Sequence, residues 1–230
     1  MAAGLGTRLR PITDTMPKCL VPIRGKPLLE YWLELLLGGG IDRILINTHH
    51  LPAAVRDYVD ASPWRDSIEL VHEDLLLGTG GTVLRNRRFF HDGAFLVAHA
   101  DNLTRFDVRA FERAHRERPA AAQITMMTFD TDAPQTCGIV ELDRKGIVAG
   151  FYEKSPLPHG NRANAAVYIF EPAVLDFLAS LNKETIDLSL EVIPNFIGRI
   201  YAFHNGDYHR DIGTPESLRL AELEFQGSLA

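Results

Sequence analysis

Over its first half the chain alternates short apolar runs with helix-length amphipathic segments, and that alternation sharply restricts the folds open to it. Leu28 to Leu37 is apolar-rich with interspersed polar residues and stops at Gly38-Gly39-Gly40, the pattern of a helix ended by glycine. Arg43 to Asn47 reads as a buried strand, and Pro52 to Tyr58 as a short helix with proline near its start. A second strand, Ile68 to Val71, leads through the turn Leu77-Gly78-Thr79-Gly80-Gly81 into a helix reaching about Arg87. A third strand, Ala94 to Ala98, runs towards Asp101, and Asp107 to Arg116 is helical. Strands separated by helices require crossover connections, so the pattern predicts an α/β fold. It is Rossmann-like, with a mostly parallel, right-handed doubly wound sheet.

Beyond about residue 120 the rhythm changes. Residues 124–129, 138–142, 147–152 and 165–170 read as strands with little helix between them, and Asp143-Arg144-Lys145-Gly146 as a hairpin turn. This half is expected to be an antiparallel lobe, with helices near 172–180, 187–197 and 215–225. The 230 residues contain no Pro/Gly/Ser-rich linker, so one domain is expected, with lobes at about 1–120 and about 121–230.

The opening segment carries the strongest chemical signal. Ala2, Ala3, Gly4, Gly6 and Thr7 are small, so the backbone can approach a phosphate closely and turn its N–H groups towards it. Arg8 and Lys18 bring two positive charges to the same loop, which suits a triphosphate. Two other glycine loops fit less well. A dinucleotide fingerprint calls for a small residue where Leu9 stands and an acid after the second strand, where the chain has Thr48-His49-His50. A Walker loop needs Ser or Thr after Gly-Lys, and Gly25-Lys26 is followed by Pro27.

Gly4, Gly6, Thr7, Arg8, Leu9, Pro11 and Thr13 fit the signature G-x-G-T-R-[LM]-x-P-x-T, and Lys18 and Leu20 its trailing K-x-L. The segment therefore resembles the sugar-1-phosphate nucleotidyltransferases; the short chain, Glu73 and the segment Gly160-Asn161-Arg162-Ala163-Asn164-Ala165-Ala166 look most like the guanylyltransferases for mannose- or heptose-1-phosphate. The resemblance implies the nucleotide-diphospho-sugar transferase fold, with a nucleotide-binding and a sugar-binding lobe. It also implies transfer of a nucleoside monophosphate from a nucleoside triphosphate to a sugar-1-phosphate, with pyrophosphate released. In that family the loop follows a hydrophobic strand. Only Met1 precedes Ala2 here, so Met1 is expected to close a strand that begins upstream.

Further motifs follow in family order. Asp101 ends the segment Ala98-His99-Ala100-Asp101-Asn102, at the sheet edge where open α/β sheets bind ligands. The family reads Gly-Asp there, with Ala100 in the place of the glycine, and its aspartate holds Mg²⁺; Asn102 falls among the sugar contacts. Asp211, in Tyr208-His209-Arg210-Asp211-Ile212-Gly213-Thr214, matches the second Mg²⁺ ligand, while Thr214 suits the N-cap of the following helix. Two carboxylates completed by phosphate oxygens and water suit this ion. Phe151-Tyr152-Glu153-Lys154-Ser155-Pro156 resembles F-x-E-K-P, whose glutamate takes sugar hydroxyls and whose lysine takes the sugar phosphate. Gly138 and Asn164 match sugar-pocket positions, and Cys137 and Ala166 depart from the usual residues beside them.

Leu77 to Thr82 resembles the base-binding L-G-T-[AG]-G, with Gly78 and Thr79 at the base and Glu73 at the position that reads its edge. A carboxylate only accepts hydrogen bonds, which favours guanine N1–H and N2–H₂, and hence GTP, over uracil or thymine. Thymidylyl and uridylyl transfer remain close alternatives. Cytidylyl transfer to a non-sugar phosphate or phosphonate, and a non-catalytic sugar-nucleotide sensor, stand further off.

Composition narrows the rest. A net charge of −6 argues against non-specific nucleic-acid binding. Two cysteines, Cys19 and Cys137, make no disulfide framework, and a reduced cytoplasmic setting is expected. No apolar run reaches membrane-spanning length and no signal peptide opens the chain, so no membrane partner is expected. The nine histidines match no zinc spacing, and Arg85, Arg87 and Arg88 read as a solvated face. The hexapeptide repeats of bifunctional relatives are absent from the sequence; whether the chain self-associates as a homo-oligomer stays open.

Overall fold

The computed structural model describes residues 1–90, 93–157 and 160–225. In chain order, α1 (Ile12–Thr15) precedes a short hairpin of β1 (Pro22–Ile23) and β2 (Lys26–Pro27), then α2 (Leu28–Gly38), β3 (Ile44–Thr48), α3 (Pro52–Ala61) and β4 (Ile68–His72). Next come α4 (Gly78–Arg85), β5 (Phe95–Ala98), β6 (Asn102–Arg105) and α5 (Val108–Glu117). Four strands follow: β7 (Ile124–Asp130), β8 (Gly138–Leu142), β9 (Val148–Glu153) and β10 (Arg162–Phe170). The chain closes with α6 (Pro172–Ser180), β11 (Ile200–His204), β12 (Tyr208–Asp211) and α7 (Pro215–Glu224). Every helix and strand expected from periodicity appears within a few residues, except that 187–197 is a π-turn (Leu188–Val192) running into a 3-10 turn (Ile193–Phe196).

The chain divides into two compact units. The first contains Met1–Leu76, His99–Arg109 and the residues from Asp207 onward; the second contains Leu77–Ala98 and Ala110–Gly206. The division expected near residue 120 is therefore replaced by repeated crossings, because β6 and β12 are partners far apart in sequence.

In the first unit β3 and β4 pair in parallel, and β6 pairs antiparallel with β12. One cluster of buried side chains joins Leu9 of the glycine loop to Ile23, Leu28, Tyr31, Leu103, Ile212, Ala221 and Phe225. Tyr31 and Tyr208 each set their rings 5.2 Å from that of Phe225, edge-on. Helix α7 starts on a capping box: the Thr214 hydroxyl accepts from the Ser217 N–H, and the Thr214 N–H donates to the Ser217 hydroxyl. Thr214 thus caps the helix and leaves Asp211 for other work.

The second unit is built on a six-stranded sheet, ordered β11-β7-β10-β8-β9, with β5 also paired to β10. Among the described residues, only β7/β11 is parallel within it. The sheets of the described residues are thus more mixed than strand–helix alternation suggests. Alternation reports sequence neighbours, whereas β10 recruits β5, β7 and β8 side on.

Helix α5 buries His115, whose Nδ1 lies 2.8 Å from Thr125 Oγ1 and whose Nε2 lies 3.1 Å from Glu171 Oε1. Arg118 also binds Glu171. Burial lowers the His115 pKa, the Arg118 guanidinium lowers it further, and Glu171 opposes both. A folded-state value below the ordinary 6.5 means that the unfolded chain protonates first as pH falls. Stability is then full above about pH 6.5 and declines below it. We expect the melting temperature to fall between about pH 7 and about pH 5 less steeply in His115→Gln than in the wild type; thermal melts across that range, showing equal slopes, would contradict it.

Candidate active site

The first unit gathers four of the charged residues singled out by the sequence, Arg8, Lys18, Asp101 and Asp211. Lys18 lies in a one-turn 3-10 helix, and its side chain is only 8 % exposed. Its ammonium is 2.9 Å from Asp101 Oδ2 and 3.4 Å from Asp211 Oδ1. A buried ammonium needs such partners, since its desolvation otherwise costs several kcal/mol. Arg8, largely exposed, reaches Asp211 Oδ2 at 3.6 Å.

Strand pairing brings the two aspartates together. Asp211 ends β12 opposite Asn102, and the N–H of Ile212 donates to the carbonyl of Asp101 at 3.0 Å. Leu9 beside Arg8 and Ile212 beside Asp211 are both anchored in the same apolar cluster, which fixes the backbone under the charges. Burial alone would raise the Asp101 carboxyl, but the Lys18 ammonium and His99 outweigh it and hold the group below the ordinary carboxylate range. It is therefore an anion at neutral pH.

Gly213 permits the approach: a Cβ there would sit 2.5 Å from Asp211 Oδ2 and 2.8 Å from Arg8 Nη2. In the loop itself the two glycines differ. Gly6 has φ +63° and packs on Thr13, so the fold demands it, whereas a Cβ on Gly4 would meet nothing within 4 Å. The fold thus leaves room beside Gly4 for a close ligand.

Two converging carboxylates of hard oxygen donors suit Mg²⁺, which keeps several waters and takes few protein ligands. Among the described residues no group of three or more His, Cys, Asp or Glu side chains could hold a metal ion. Phosphate oxygens and water would then complete the shell.

Glu73 is buried at the end of β4, and its carboxylate accepts from Asn47 Nδ2 at 3.0 Å. Asn47 in turn accepts the Ala2 N–H at 2.8 Å, and Ala3 is buried beside it in sequence. Asn102, expected at the sugar, is a buried residue of this first unit, and its carbonyl takes the Trp32 indole N–H at 2.7 Å.

The other singled-out residues lie in the second unit. Gly78 and Thr79 open α4, where the turn is tied to 186–188: Gly80 N–H donates to the Ile186 carbonyl at 2.8 Å and Leu188 N–H to Thr79 Oγ1 at 2.9 Å. Gly138 faces Glu153 across β8 and β9. Lys154 follows in a left-handed conformation (φ +47°), with its ammonium 3.4 Å from Glu153 Oε1. Backbone strain of this kind, about 1–3 kcal/mol, tends to persist where a site requires it. Asn164 sits at an irregularity in β10, accepting the Ala166 N–H at 3.0 Å and donating to the Tyr168 hydroxyl at 2.6 Å. Ala166, where the family pattern has glycine, is held at φ +54°.

A Cβ on Gly138 would lie 2.5 Å from Phe151 Cζ and 2.7 Å from Glu153 Oε2, both ends of side chains that can move. Gly138→Ala is therefore expected to fold and to displace Glu153. If Glu153 takes sugar hydroxyls, as the family resemblance implies, the KM for a sugar-1-phosphate should rise about tenfold with kcat less affected; steady-state kinetics with an unchanged KM would separate Glu153 from the sugar.

Sequence reasoning missed the β6/β12 pairing and the residues Asn47, within the end of β3, and His50, just after it, that hold the glycine loop. Neither had a local signal: Tyr208 to Asp211 shows no apolar/polar alternation, and nothing beside Asn47 or His50 in the sequence marks their roles.

The chain is similar to several known proteins. The family described as nucleotidyl transferase matches residues 1–226. A UTP–glucose-1-phosphate uridylyltransferase from Synechocystis sp. is 34% identical over 211 residues, covering 86% of this chain and 54% of that protein. A mannose-1-phosphate guanylyltransferase from Mycobacterium tuberculosis is 30% identical over 223 residues, covering 95% of this chain and 61% of that protein. The chain therefore spans little more than half the length of these curated relatives. Among solved structures, HddC from Yersinia pseudotuberculosis superposes with a TM-score of 0.82 at 25% identity, covering 98% of this chain and 97% of that one. No helix of the described residues is long and apolar enough to cross a membrane.

Proposed function

The chain belongs to the nucleotidyl transferase family, and on that footing we propose that it transfers a nucleoside monophosphate from a nucleoside triphosphate to a sugar-1-phosphate. The observation that carries this reading is the meeting of Lys18, Arg8, Asp101 and Asp211 under a glycine loop. An oxygen of the sugar-1-phosphate attacks the α-phosphorus, a new O–P bond forms, and the α–β bridging bond breaks with its electron pair leaving on pyrophosphate. Nucleophile and leaving group both belong to the substrates. The protein's task is charge neutralisation and alignment.

Arg8 and Lys18 bind the triphosphate and offset charge that builds on the departing pyrophosphate. Lys154 places the attacking phosphate, and Glu153 orients the sugar by accepting its hydroxyls. Asp101 and Asp211 would hold Mg²⁺, which when bound supplies further neutralisation of phosphate charge. The reading includes no nucleic acid and no membrane.

GTP is the favoured donor, because Glu73 offers a carboxylate already oriented by Asn47. The 34% identity to a uridylyltransferase supports UTP as the second reading. Glu73→Gln retains an oxygen for Asn47 and offers an amide to the base, so preference should move from GTP towards UTP or dTTP by about tenfold. The test is pyrophosphate release with Mg²⁺ for each nucleoside triphosphate against a panel of sugar-1-phosphates. Release with a matched pair supports the transferase; silence from folded protein across the panel sinks it, and an unaltered preference in Glu73→Gln removes Glu73 from base reading.

A further inference from the structure

Four consecutive residues at the end of β3 hold both parts of the first unit that the proposed function assigns to the nucleotide. They grip Glu73 at every polar group of its backbone and at its side chain. Its N–H donates to the Thr48 carbonyl at 2.9 Å, its carbonyl lies 2.7 Å from His49 Nδ1, and its carboxylate accepts from Asn47 Nδ2 at 3.0 Å. The same four residues hold the glycine loop near both of its ends. Asn47 Oδ1 accepts the N–H of Ala2 at 2.8 Å, and His50 Nε2 lies 2.8 Å from the carbonyl of Thr13. Thr13 passes this hold into the loop, since its hydroxyl donates to the Gly6 carbonyl at 2.7 Å and its methyl packs where Gly6 has no Cβ.

Both imidazoles face carbonyl oxygens, which only accept. His49 must therefore carry its proton on Nδ1 and His50 on Nε2. Asn47 and Thr48 are themselves buried, so their bonds form in a low-dielectric setting where loss of a partner is costly. Thr48 is further tied to β4 through its hydroxyl, which donates to the Val71 carbonyl at 3.2 Å. The strand end is thus the rigid member, and the loop and Glu73 are the parts it locates.

Resting on the transferase reading, we infer that Asn47, His49 and His50 are positioning residues that set the phosphate-binding loop and Glu73 from a single strand end. Asn47 touches both parts and couples them. Of the two parts, His49 touches Glu73, with its ring stacked on His72 at 6.5 Å, and His50 touches the loop. The two histidines therefore affect different properties of the same substrate. Losing His50 should weaken every nucleoside triphosphate alike, because the loop meets the phosphates they share. Losing His49 should narrow the preference among bases and leave the shared phosphate binding in place.

The test compares His50→Leu, His50→Gln and His49→Leu with the wild-type protein, using GTP, UTP and dTTP. A glutamine amide can occupy the place of the imidazole Nε2–H, so His50→Gln keeps the donor that His50→Leu removes. For His50→Leu we expect the KM of all three triphosphates to rise about tenfold, with the KM of the sugar-1-phosphate unmoved. His50→Gln should recover most of that loss. For His49→Leu the ratio of kcat/KM between the preferred and the other triphosphates should shrink about tenfold. Amide hydrogen exchange of residues 2–13 in the ligand-free protein gives a readout independent of turnover, and should quicken in His50→Leu and return in His50→Gln.

Equal losses in His50→Gln and His50→Leu would overturn the inference, since packing of the ring rather than its N–H would then matter. So would unchanged exchange and unchanged KM values in His50→Leu. Should the wild type turn over no triphosphate, the transferase reading falls, and exchange alone decides: quickened exchange in His50→Leu upholds the hold on the loop, and unaltered exchange ends it.

Discussion

Asp101→Asn is expected, on the proposed transferase reading, to lower Mg²⁺-dependent turnover by about 10³-fold while the chain still folds. The substitution removes one of two carboxylates that meet at the Lys18 ammonium, 2.9 Å from Asp101 and 3.4 Å from Asp211. It has two separable consequences. Asparagine still offers an oxygen to Lys18, and Asp211 still neutralises it, so the stability lost should be only about 1–2 kcal/mol. A neutral amide is a far poorer partner than an anion for a hard divalent cation, so the metal-dependent step takes the larger loss. Turnover titrated against Mg²⁺, together with a thermal melt, distinguishes the two. Near wild-type turnover with an unchanged metal requirement would remove Asp101 from the metal site. A collapse of the melt would mean that the aspartate serves mainly to neutralise buried Lys18.

Gly81→Ala should produce the largest loss of stability of any single methyl group added at a glycine of the described residues. A Cβ there would stand 2.1 Å from the carbonyl oxygen of Glu184, a backbone atom that no rotamer change can move. The neighbouring Gly80 and Gly81 N–H groups both donate to the Ile186 carbonyl, at 2.8 and 3.3 Å, so shifting the 184–186 segment would also break those bonds. Overpacking of this kind costs about 3 kcal/mol or somewhat more, and the melting temperature should drop by roughly 6–12 °C. Gly206→Ala is the control, since a Cβ there meets nothing within 4 Å, and its melt should match the wild type or slightly exceed it. Equal melts for the two variants would show that 184–186 yields freely.

This contact alters how the motif Leu77 to Thr82 is understood. Its glycines and Thr79 read in the sequence as a base-binding turn, yet Gly78, Gly80 and Gly81 are each needed for close packing on 184–186, and Thr79 accepts the Leu188 N–H. A glycine requirement imposed by a neighbouring backbone looks identical, in one sequence, to one imposed by a ligand. Gly4 differs, since an added Cβ there meets nothing within 4 Å and packing does not require a glycine. Only coordinates separate the two.

Much of the fold was legible because its signals are local. Apolar periodicity placed α2, α3, α5, β3, β4 and β5 within a few residues, and glycine or proline marked several of their ends. Strand direction was harder to read. β5 lies in a stretch of strand–helix alternation that suggests parallel pairing, but it pairs antiparallel with β10, a strand of the later, antiparallel half. The register of β6 on β12 was not legible either, and it is what sets Asp211 beside Asp101.

Sequence alone determined which chemical groups make up the candidate site: a loop of small residues, one arginine, one lysine and two aspartates, each recognisable from its immediate neighbours. Tertiary structure alone decided that Lys18 is buried between carboxylates 83 and 193 residues away, and that the end of β3 holds both the loop and Glu73. The physical reason is range. Backbone propensity and side-chain periodicity act over a few residues, whereas burial of a charge and the register of distant strands exist only once the chain has closed on itself.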